Sequence, residues 1–278
     1  MAFLSPAKLW SDSAATIRIL YNHRKLALEL AKRDLTDRYA GQFLGILWVF
    51  VHPIILICIF LFVFAYVFNM KTQGTTLTTP LGYSIYLLSG LLPWMSIQEG
   101  LGRSPVSILS NASLVKQVIF PLETLPVKVI LSTLPSQIVT ISALLLYTLI
   151  DSKFISWTYL LLPFLIIGQI FLVTGVGLIL SAIGVFFRDL KDFIQVALTV
   201  GMYTTPIFYF PESVPKQVKL ILYLNPFTYV IQCFQDVCYY GEIAHPRAWG
   251  VSIGLTLISF IFGCRVFQRL KVYFGSYL

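Results

Sequence analysis

The side chains best suited to metal or acid–base chemistry in this chain are a few aspartates. Two pairs occur, Asp34 with Asp37 and Asp189 with Asp192. Paired carboxylates of this kind can bind a divalent cation for sugar transfer, as in a membrane-embedded glycosyltransferase. Each of these carboxylates already has a basic neighbour at local spacing, with which it can form an ion pair. Glycosyl transfer is therefore a weak alternative.

The patterns that bind nucleotide phosphates or metal ions are missing from the sequence. No G-x-x-x-x-G-K-[ST] loop occurs, so the chain cannot cradle phosphates in the P-loop manner. The three histidines, His23, His52 and His245, are far apart and make no metal constellation. We therefore expect no catalytic residue, metal or cofactor in this chain, and any ATP-driven work must come from a partner.

Glu99 is the main ionisable residue inside an apolar stretch. It precedes Arg103 by one helical turn, and this spacing predicts an i,i+4 ion pair near one end of a membrane span. Ion-coupled transporters usually keep several carboxylates deep in their spans and often contain internal repeats. The scarcity of such residues, and the lack of an evident repeat, argue against a secondary transporter.

Composition identifies the elements that must position these residues. Of the 278 residues, 57% are hydrophobic and only 12% are charged, about half of the charged share typical of a soluble domain. Apolar runs of about 20 residues, long enough to cross a bilayer, recur along the chain. The net charge of +8 is spread between these runs rather than in a basic stripe, which disfavours nucleic-acid binding.

The fold class that we predict is an all-α polytopic membrane protein with six transmembrane helices. The predicted spans are residues 44–68, 84–102, 126–150, 159–187, 193–210 and 249–267. We expect Pro93 to interrupt the second span, Pro135 to kink the third, and the glycines of the fourth to allow close helix packing. Those glycines are Gly168, Gly175, Gly177 and Gly184.

The six spans belong to one transmembrane domain over residues 44–278. Three further segments do not cross the membrane. Residues 1–43 predict an amphipathic helix lying in the membrane interface. Its apolar face comprises Leu28, Ala31, Leu35, Tyr39 and Phe43. Residues 104–125 form a mixed loop, and residues 211–240 contain two apolar segments too short to span, which are candidates for re-entrant helices between the fifth and sixth spans.

The basic residues orient the chain. Fifteen of the 20 Lys and Arg residues lie in segments that six spans place on one side, at residues 1–43, 103–128, 188–192 and 265–278. By the positive-inside rule this side is cytoplasmic, so we expect both termini in the cytoplasm.

Several short motifs, in one order along nearly the whole chain, closely resemble ABC-2 type permeases that export O-antigen, capsule or teichoic acid. The motifs are Arg-Asp-Leu-Thr-Asp-Arg-Tyr at 33–39, Leu-Gly-Ile-Leu-Trp at 44–48, His-Pro at 52–53, Leu-Leu-Pro-Trp at 91–94, Asn-Ala-Ser-Leu-Val at 111–115, Phe-Pro at 120–121, Arg-Asp at 188–189, Pro-Ile-Phe-Tyr at 206–209 and Leu-Asn-Pro-Phe at 224–227.

This resemblance implies a homodimer in the bacterial plasma (inner) membrane with two P-loop ABC ATPase subunits, which bind ATP and Mg. The implied substrate is an undecaprenyl-type lipid-linked glycan. In such permeases the N-terminal helix lies at the cytoplasmic surface, the loop after the second span meets the ATPase, and short helices before the sixth span cover the external exit.

The resemblance suggests roles for three sets of residues. The residues suggested for a lipid-pyrophosphate entrance are Arg24, Arg33 and Arg38. Those suggested for coupling to the ATPase are Lys116, Phe120, Pro121 and Glu123. The aromatic residues suggested to line a conduit are Phe60, Phe64, Tyr203, Phe208 and Tyr209. Guanidinium groups pair well with phosphate, and aromatic rings present apolar faces to sugars. A positive-inside helix surface and lipid-facing aromatic belts are the simpler explanations for each single residue.

The nearest alternative function is an ABC-2 exporter of small hydrophobic drugs or lipids, which would share the architecture. An open conduit lined by aromatic side chains would favour a polymer, whereas a narrow sealed cleft would favour a small molecule.

Overall fold

The regular structure of the chain is helical wherever it is described. A computed structural model describes residues 6–67, 82–117, 120–152 and 156–277. The α-helices in these ranges are α1 (Pro6–Asn22), α2 (Arg24–Arg38), α3 (Trp48–Leu61), α4 (Gly82–Arg103), α5 (Ala112–Gln117), α6 (Thr124–Leu131), α7 (Leu134–Ser152), α8 (Leu162–Gly184), α9 (Leu190–Thr204), α10 (Lys216–Leu224), α11 (Pro226–Gln235), α12 (Pro246–Leu270) and α13 (Phe274–Tyr277). This confirms the all-α prediction for the described residues.

Four helical stretches in the described ranges are long and apolar enough to cross a membrane. They are Gly45–Phe64, Thr124–Leu149, Trp157–Gly184 and Pro246–Tyr277. They coincide with the first, third, fourth and sixth predicted spans. The predicted end of the first span, residue 68, lies outside the described residues.

The second and fifth predicted spans, α4 and α9, are not among the helices that are both long and apolar enough to cross a membrane. Nearly every residue of α4 is buried by other helices, so the helix does not need an apolar surface for lipid. In contrast, α9 has only 15 residues. At 1.5 Å per residue it reaches about 22 Å, less than the hydrocarbon core of about 30 Å. The count of six spans stays a prediction.

The amphipathic N-terminal segment consists of two helices, with α1 packed against α12 and α2 against α6. The apolar face predicted for α2 is partly wrong. The buried positions are Ala27, Ala31 and Leu35, whereas Leu28 and Phe43 are exposed. Leu28 points outward because Asp34 and Arg38 on the inward side of α2 pair with α4. Phe43 is exposed because the helix ends at Arg38.

The two prolines behave differently. The predicted interruption at Pro93 is wrong, because α4 runs through it from Gly82 to Arg103. The kink near Pro135 is confirmed as a break between α6 and α7. There the Thr133 hydroxyl donates to the Ile130 carbonyl at 2.8 Å. The single Ser132 hydroxyl hydrogen is shared between two acceptors, the Val129 carbonyl at 2.8 Å and the Asp34 carboxylate at 3.0 Å. These side chains satisfy backbone groups at the break.

Close packing in the fourth span is confirmed for three of its four glycines. A Cβ on Gly175 would lie 2.4 Å from the backbone of Ser259 in α12, and one on Gly184 would lie 2.0 Å from the Pro105 carbonyl. A Cβ on Gly177 would lie 2.9 Å from the hydroxyl of Ser104. Gly168 differs, since a Cβ there would meet nothing within 4 Å. Backbone contact at glycine therefore sets the separation of α8 and α12.

Residues 211–240 contain short helices, as predicted, although their re-entrant placement stays a prediction. Asn225, between α10 and α11, caps α11 by accepting a hydrogen bond from the Phe227 amide at 3.0 Å. Its side-chain amide also donates to the Gly201 carbonyl in α9 at 3.2 Å. A π-helical turn, Asp236–Tyr240, follows α11. One side chain thus holds three helices together at the end of α9.

We predict that Gly175→Ala destabilises the protein by about 1–3 kcal/mol, because the added methyl group overlaps the backbone of α12. The matched control is Gly168→Ala on the same helix, where the space is open and we expect a change of less than about 0.5 kcal/mol. Thermal unfolding of the purified protein in detergent measures both. Equal midpoints for the two variants would contradict the packing argument.

Candidate functional site

A cluster of charged side chains joins α2 to α4 and to the break between α6 and α7. The Arg38 guanidinium donates to the Glu99 carboxylate. Arg103 Nη2 donates to Asp34 Oδ2 at 2.6 Å, and the Ser132 hydroxyl donates to the same oxygen at 3.0 Å. Two arginines and two carboxylates therefore alternate. We call these four residues, together with Ser132, the α2 cluster.

The predicted pair of Glu99 with Arg103 exists only as a loose contact, with Arg103 Nη1 and Glu99 Oε1 4.0 Å apart. The closer partner of Glu99 is Arg38, 61 positions away in the sequence. Arg103 is instead engaged by Asp34, which is 69 positions away. Local spacing could not reveal either partner.

A polar cavity of about 450 Å³ opens beside the α2 cluster, between α3, α4, α7 and α9. Its charged lining residues are Arg38, Glu99 and Arg103. The other polar residues in its wall include His52, Gln98, Gln137 and Gln195. The cavity therefore offers two guanidinium groups and several hydrogen-bond donors to a ligand, with one carboxylate facing it.

A buried ladder of polar side chains extends from this cavity into the helices. The Ser96 hydroxyl donates to Gln137 Oε1 at 3.0 Å, and Gln137 Nε2 donates to Gln169 Oε1 at 2.9 Å. Buried polar groups of this kind must be paired, and each of these is. The ladder fixes the amides that line one wall of the cavity.

Of the three arginines predicted for an anion entrance, only Arg38 lines this cavity. Arg33 is exposed and lies 3.5 Å from Asp37, its neighbour on α2. Arg24 is also exposed; it donates to the Tyr21 carbonyl at 3.1 Å and covers the Tyr21 ring. Sequence reasoning missed Arg103 as a site residue, although its position at the end of a predicted span was a usable signal.

The predicted coupling residues have different environments. Phe120 and Pro121 are half-buried, and the side chain of Lys116 lies outside the described part. Glu123 is only 1% exposed. It accepts hydrogen bonds from Lys271 Nζ at 2.7 Å and Gln268 Nε2 at 2.8 Å. The Glu123 carboxylate therefore faces the interior and contacts the end of α12, rather than the surface.

This contact extends to α1. Gln268 Nε2 also donates to the Thr16 hydroxyl at 3.1 Å, and Arg265 in α12 forms an ion pair with Asp12 in α1. The segment that contains Glu123, the end of α12 and α1 are thus connected by buried polar contacts.

The predicted conduit aromatics divide into two groups. Phe60 and Phe64 stack at 6.1 Å between ring centroids, and Phe64 lies 5.6 Å from Tyr83 in α4. Tyr203 and Phe208 stack at 5.7 Å elsewhere, and Tyr203 is 62% exposed. The structure does not bring the five rings into one set.

Further rings connect the first group to the π-helical turn after α11. Tyr83 lies 6.0 Å from Phe210, which lies 4.2 Å from Tyr86, and Tyr86 lies 5.2 Å from Tyr239. The Tyr83 hydroxyl donates to the Phe208 carbonyl at 2.6 Å. These buried tyrosines position the loop after α9.

Tyr209 belongs to the second group through its hydroxyl, which donates to the Tyr203 carbonyl at 3.0 Å. Its ring is therefore fixed beside the stacked pair of Tyr203 and Phe208.

A second ionic contact lies in the turn between α11 and α12. Asp236 is fully buried. It accepts hydrogen bonds from the His245 amide at 3.0 Å, from His245 Nδ1 at 2.7 Å and from Trp249 Nε1 at 2.9 Å. The hydrogen bond to Asp236 raises the pKa of His245, burial opposes this increase, and the charge of Glu212 adds to it. Protonated His245 is thus favoured by the folded state.

Comparison with known proteins finds similarity along most of the chain. The family model of the ABC-2 type transporter matches residues 26–239. The chain is 26% identical to the O-antigen export system permease protein RfbA of Klebsiella pneumoniae over 255 residues, which cover 91% of this chain and 95% of that protein. It is 24% identical to the polysialic acid transport protein KpsM of Escherichia coli, over 88% and 93% of the two chains.

A third relative is the capsule polysaccharide export inner-membrane protein CtrC of Neisseria meningitidis serogroup B. It is 24% identical over 254 residues, which cover 89% of this chain and 92% of that protein.

We predict that the stabilising effect of the pair of Asp236 and His245 depends on pH. Because the pKa of His245 is raised above its unfolded value of about 6.5, the effect is complete below about pH 6.5 and is lost as the pH rises through the folded-state pKa. The thermal unfolding midpoint should fall over that range in wild type and fall less in His245→Gln. His23→Gln, an exposed control, should keep the wild-type profile; identical profiles for all three proteins would contradict this.

Proposed function

Because the chain belongs to the ABC-2 type transporter family, we propose that it is the permease subunit of an ATP-driven exporter of polysaccharide in the bacterial inner membrane. The observation that carries this proposal is similarity over about nine-tenths of the chain to proteins named for O-antigen export, polysialic acid transport and capsule polysaccharide export. None of those names specifies teichoic acid, which we therefore keep as a less supported cargo.

The proposed assembly is a homodimer of six-span subunits with two P-loop ABC ATPase subunits, which would bind ATP and Mg. Both termini would face the cytoplasm, in agreement with the distribution of basic residues. The exposed apolar side chains of α9 are compatible with a second copy packing there. They include Phe193, Val196 and Val200.

The proposed substrate is a glycan on an undecaprenyl-type lipid diphosphate, which would enter at the polar cavity beside α2. Arg38 and Arg103 line this cavity, and guanidinium groups bind phosphate oxygens through paired, charge-assisted hydrogen bonds. The ring of Tyr203, which is 62% exposed, offers an apolar face to the sugars that follow.

The alternatives have less support. A small hydrophobic cargo would not use the charged groups of this cavity. For a glycosyltransferase, Asp34 is engaged by Arg103 and Ser132, and Asp37 lies beside Arg33, so this aspartate pair is not free to bind a metal ion.

We predict that Arg38→Gln lowers export by about tenfold or more, because a charge-assisted hydrogen bond to phosphate contributes roughly 1.5–3 kcal/mol. The matched control is Arg33→Gln, which removes the same charge from an exposed position on the same helix and should leave export near the wild-type level. Surface glycan is measured in cells with equal amounts of permease in the membrane. Normal export in Arg38→Gln would remove Arg38 from the proposed entrance.

We also propose that the segment of residues 104–123 transmits motion from the ATPase, with Lys116, Phe120 and Pro121 near the partner. Glu123 would act on the inner side of this segment, where it contacts Gln268 of α12 and Lys271, the residue directly after α12. A displacement of the segment would then be passed to α12 and, through Gln268 and Thr16, to α1.

We predict that Lys271→Glu uncouples hydrolysis from export, because it places a second carboxylate beside buried Glu123. The glycan exported per ATP hydrolysed should fall by about fivefold or more. The exchange variant Glu123→Lys/Lys271→Glu should recover part of the loss, since it restores opposite charges. Purified complex in vesicles provides both rates.

Arg269→Glu serves as the control for added negative charge near the same helix end. The proposal fails if Lys271→Glu assembles with the ATPase and keeps the wild-type ratio of export to hydrolysis.

A further inference from the structure

We propose that Glu99 sets the affinity of the entrance for anionic lipids, because it occupies the phosphate position until a sufficiently charged lipid displaces it. This inference rests on the function proposed above. Its basis is that the Arg38 guanidinium, the one predicted anion-binding group that lines the cavity, is already bound to the Glu99 carboxylate.

The two carboxylates of the α2 cluster are held differently. Asp34 has a side chain only 14% exposed and is bound by Arg103 at 2.6 Å and by Ser132 at 3.0 Å. Glu99 is 30% exposed, lines the cavity and is hydrogen-bonded by Arg38. Glu99 is thus the more accessible and less extensively bound of the two, and an incoming anion would displace it first.

A second cation is available for Glu99 after displacement. Arg103 Nη1 lies 4.0 Å from Glu99 Oε1, one turn further along α4, which is a favourable spacing for an i,i+4 ion pair. A small rotation of the Glu99 side chain would close this contact. The carboxylate would therefore stay paired while Arg38 binds the ligand.

The contacts of Asp34 would keep α2 in place during this exchange. Its bonds to Arg103 and Ser132 join α2 to α4 and to the helix break. Arg38 Nη2 also lies 3.4 Å from the Ser132 hydroxyl and 4.0 Å from Asp34 Oδ2, and phosphate binding would weaken these contacts together with the one to Glu99. The bonds of Asp34 to Arg103 and Ser132 would still hold the helix, so that the cavity can respond to a ligand without losing a wall.

The exchange sets an affinity threshold that a diphosphate passes more easily than a phospholipid does. A lipid must replace the interaction of Arg38 with Glu99 before it gains one of its own. The phosphodiester of a bulk phospholipid has one negative charge, as Glu99 does, so the exchange gains little. A diphosphate has more charge and more acceptor oxygens, and gains more from the same guanidinium. Glu99 would therefore exclude abundant phospholipids from the entrance.

The test uses the purified permease–ATPase complex in detergent, titrated with undecaprenyl diphosphate or with phosphatidylglycerol and followed by native mass spectrometry. We expect Glu99→Gln to bind both lipids more tightly, each by about fivefold, because neither lipid then has to displace the Glu99 carboxylate from Arg38. Phosphatidylglycerol should therefore occupy the entrance at a lower concentration than in wild type. Glu99→Met, a second neutral side chain of similar length, should have the same effect.

Two controls separate this proposal from the entrance itself. Glu29→Gln removes a carboxylate from an exposed position on α2 and should change neither affinity. Arg38→Gln should weaken binding of the diphosphate. If Arg38→Gln weakens binding while both Glu99 variants bind as wild type or more weakly, Glu99 is only a structural ion pair and this proposal is wrong. If Arg38→Gln binds the diphosphate normally, the entrance proposal is wrong as well.

Discussion

Charged groups beside a low-dielectric interior must be paired, and the α2 cluster meets this requirement by joining helices that are distant in the sequence. Asp34 and Arg38 lie on α2, and Glu99 and Arg103 lie on α4. Removing one member would leave its partner uncompensated next to the apolar interior. The inward face of α2 therefore contains charges as well as Ala31 and Leu35, and the cavity beside the cluster has a charged wall.

The remaining helices are positioned by two further constraints. Glycine at the contact between α8 and α12 allows their backbones to touch. The break before Pro135 places two buried hydroxyl groups where α6 and α7 meet. Ser132 at this break also donates to Asp34. One local irregularity in the third span thus supplies a ligand for the ion pairs of α2, so that helix geometry and charge pairing depend on each other.

The permease proposed here would have its polar contacts at both ends of the helices. The α2 cluster and Glu123 lie with the basic segments, whereas Asp236 and the tyrosines of α4 surround the turns after α9 and α11. The described interior between them contains the amide ladder of Ser96, Gln137 and Gln169. A lipid phosphate would meet the guanidinium groups of the cavity, and the sugars that follow would meet the exposed ring of Tyr203 near the end of α9.

The sequence by itself determined the helical class, the four long apolar stretches, the kink at Pro135 and the family, because hydrophobic length, proline and ordered motifs are local properties. It placed Arg38 at a candidate site but assigned Glu99 to Arg103 and left Glu123 at the surface. Only the tertiary structure decided that Glu99 binds Arg38 and that Glu123 faces Lys271. Partners 61 and 148 positions apart are selected by the packing of whole helices, which no local spacing encodes.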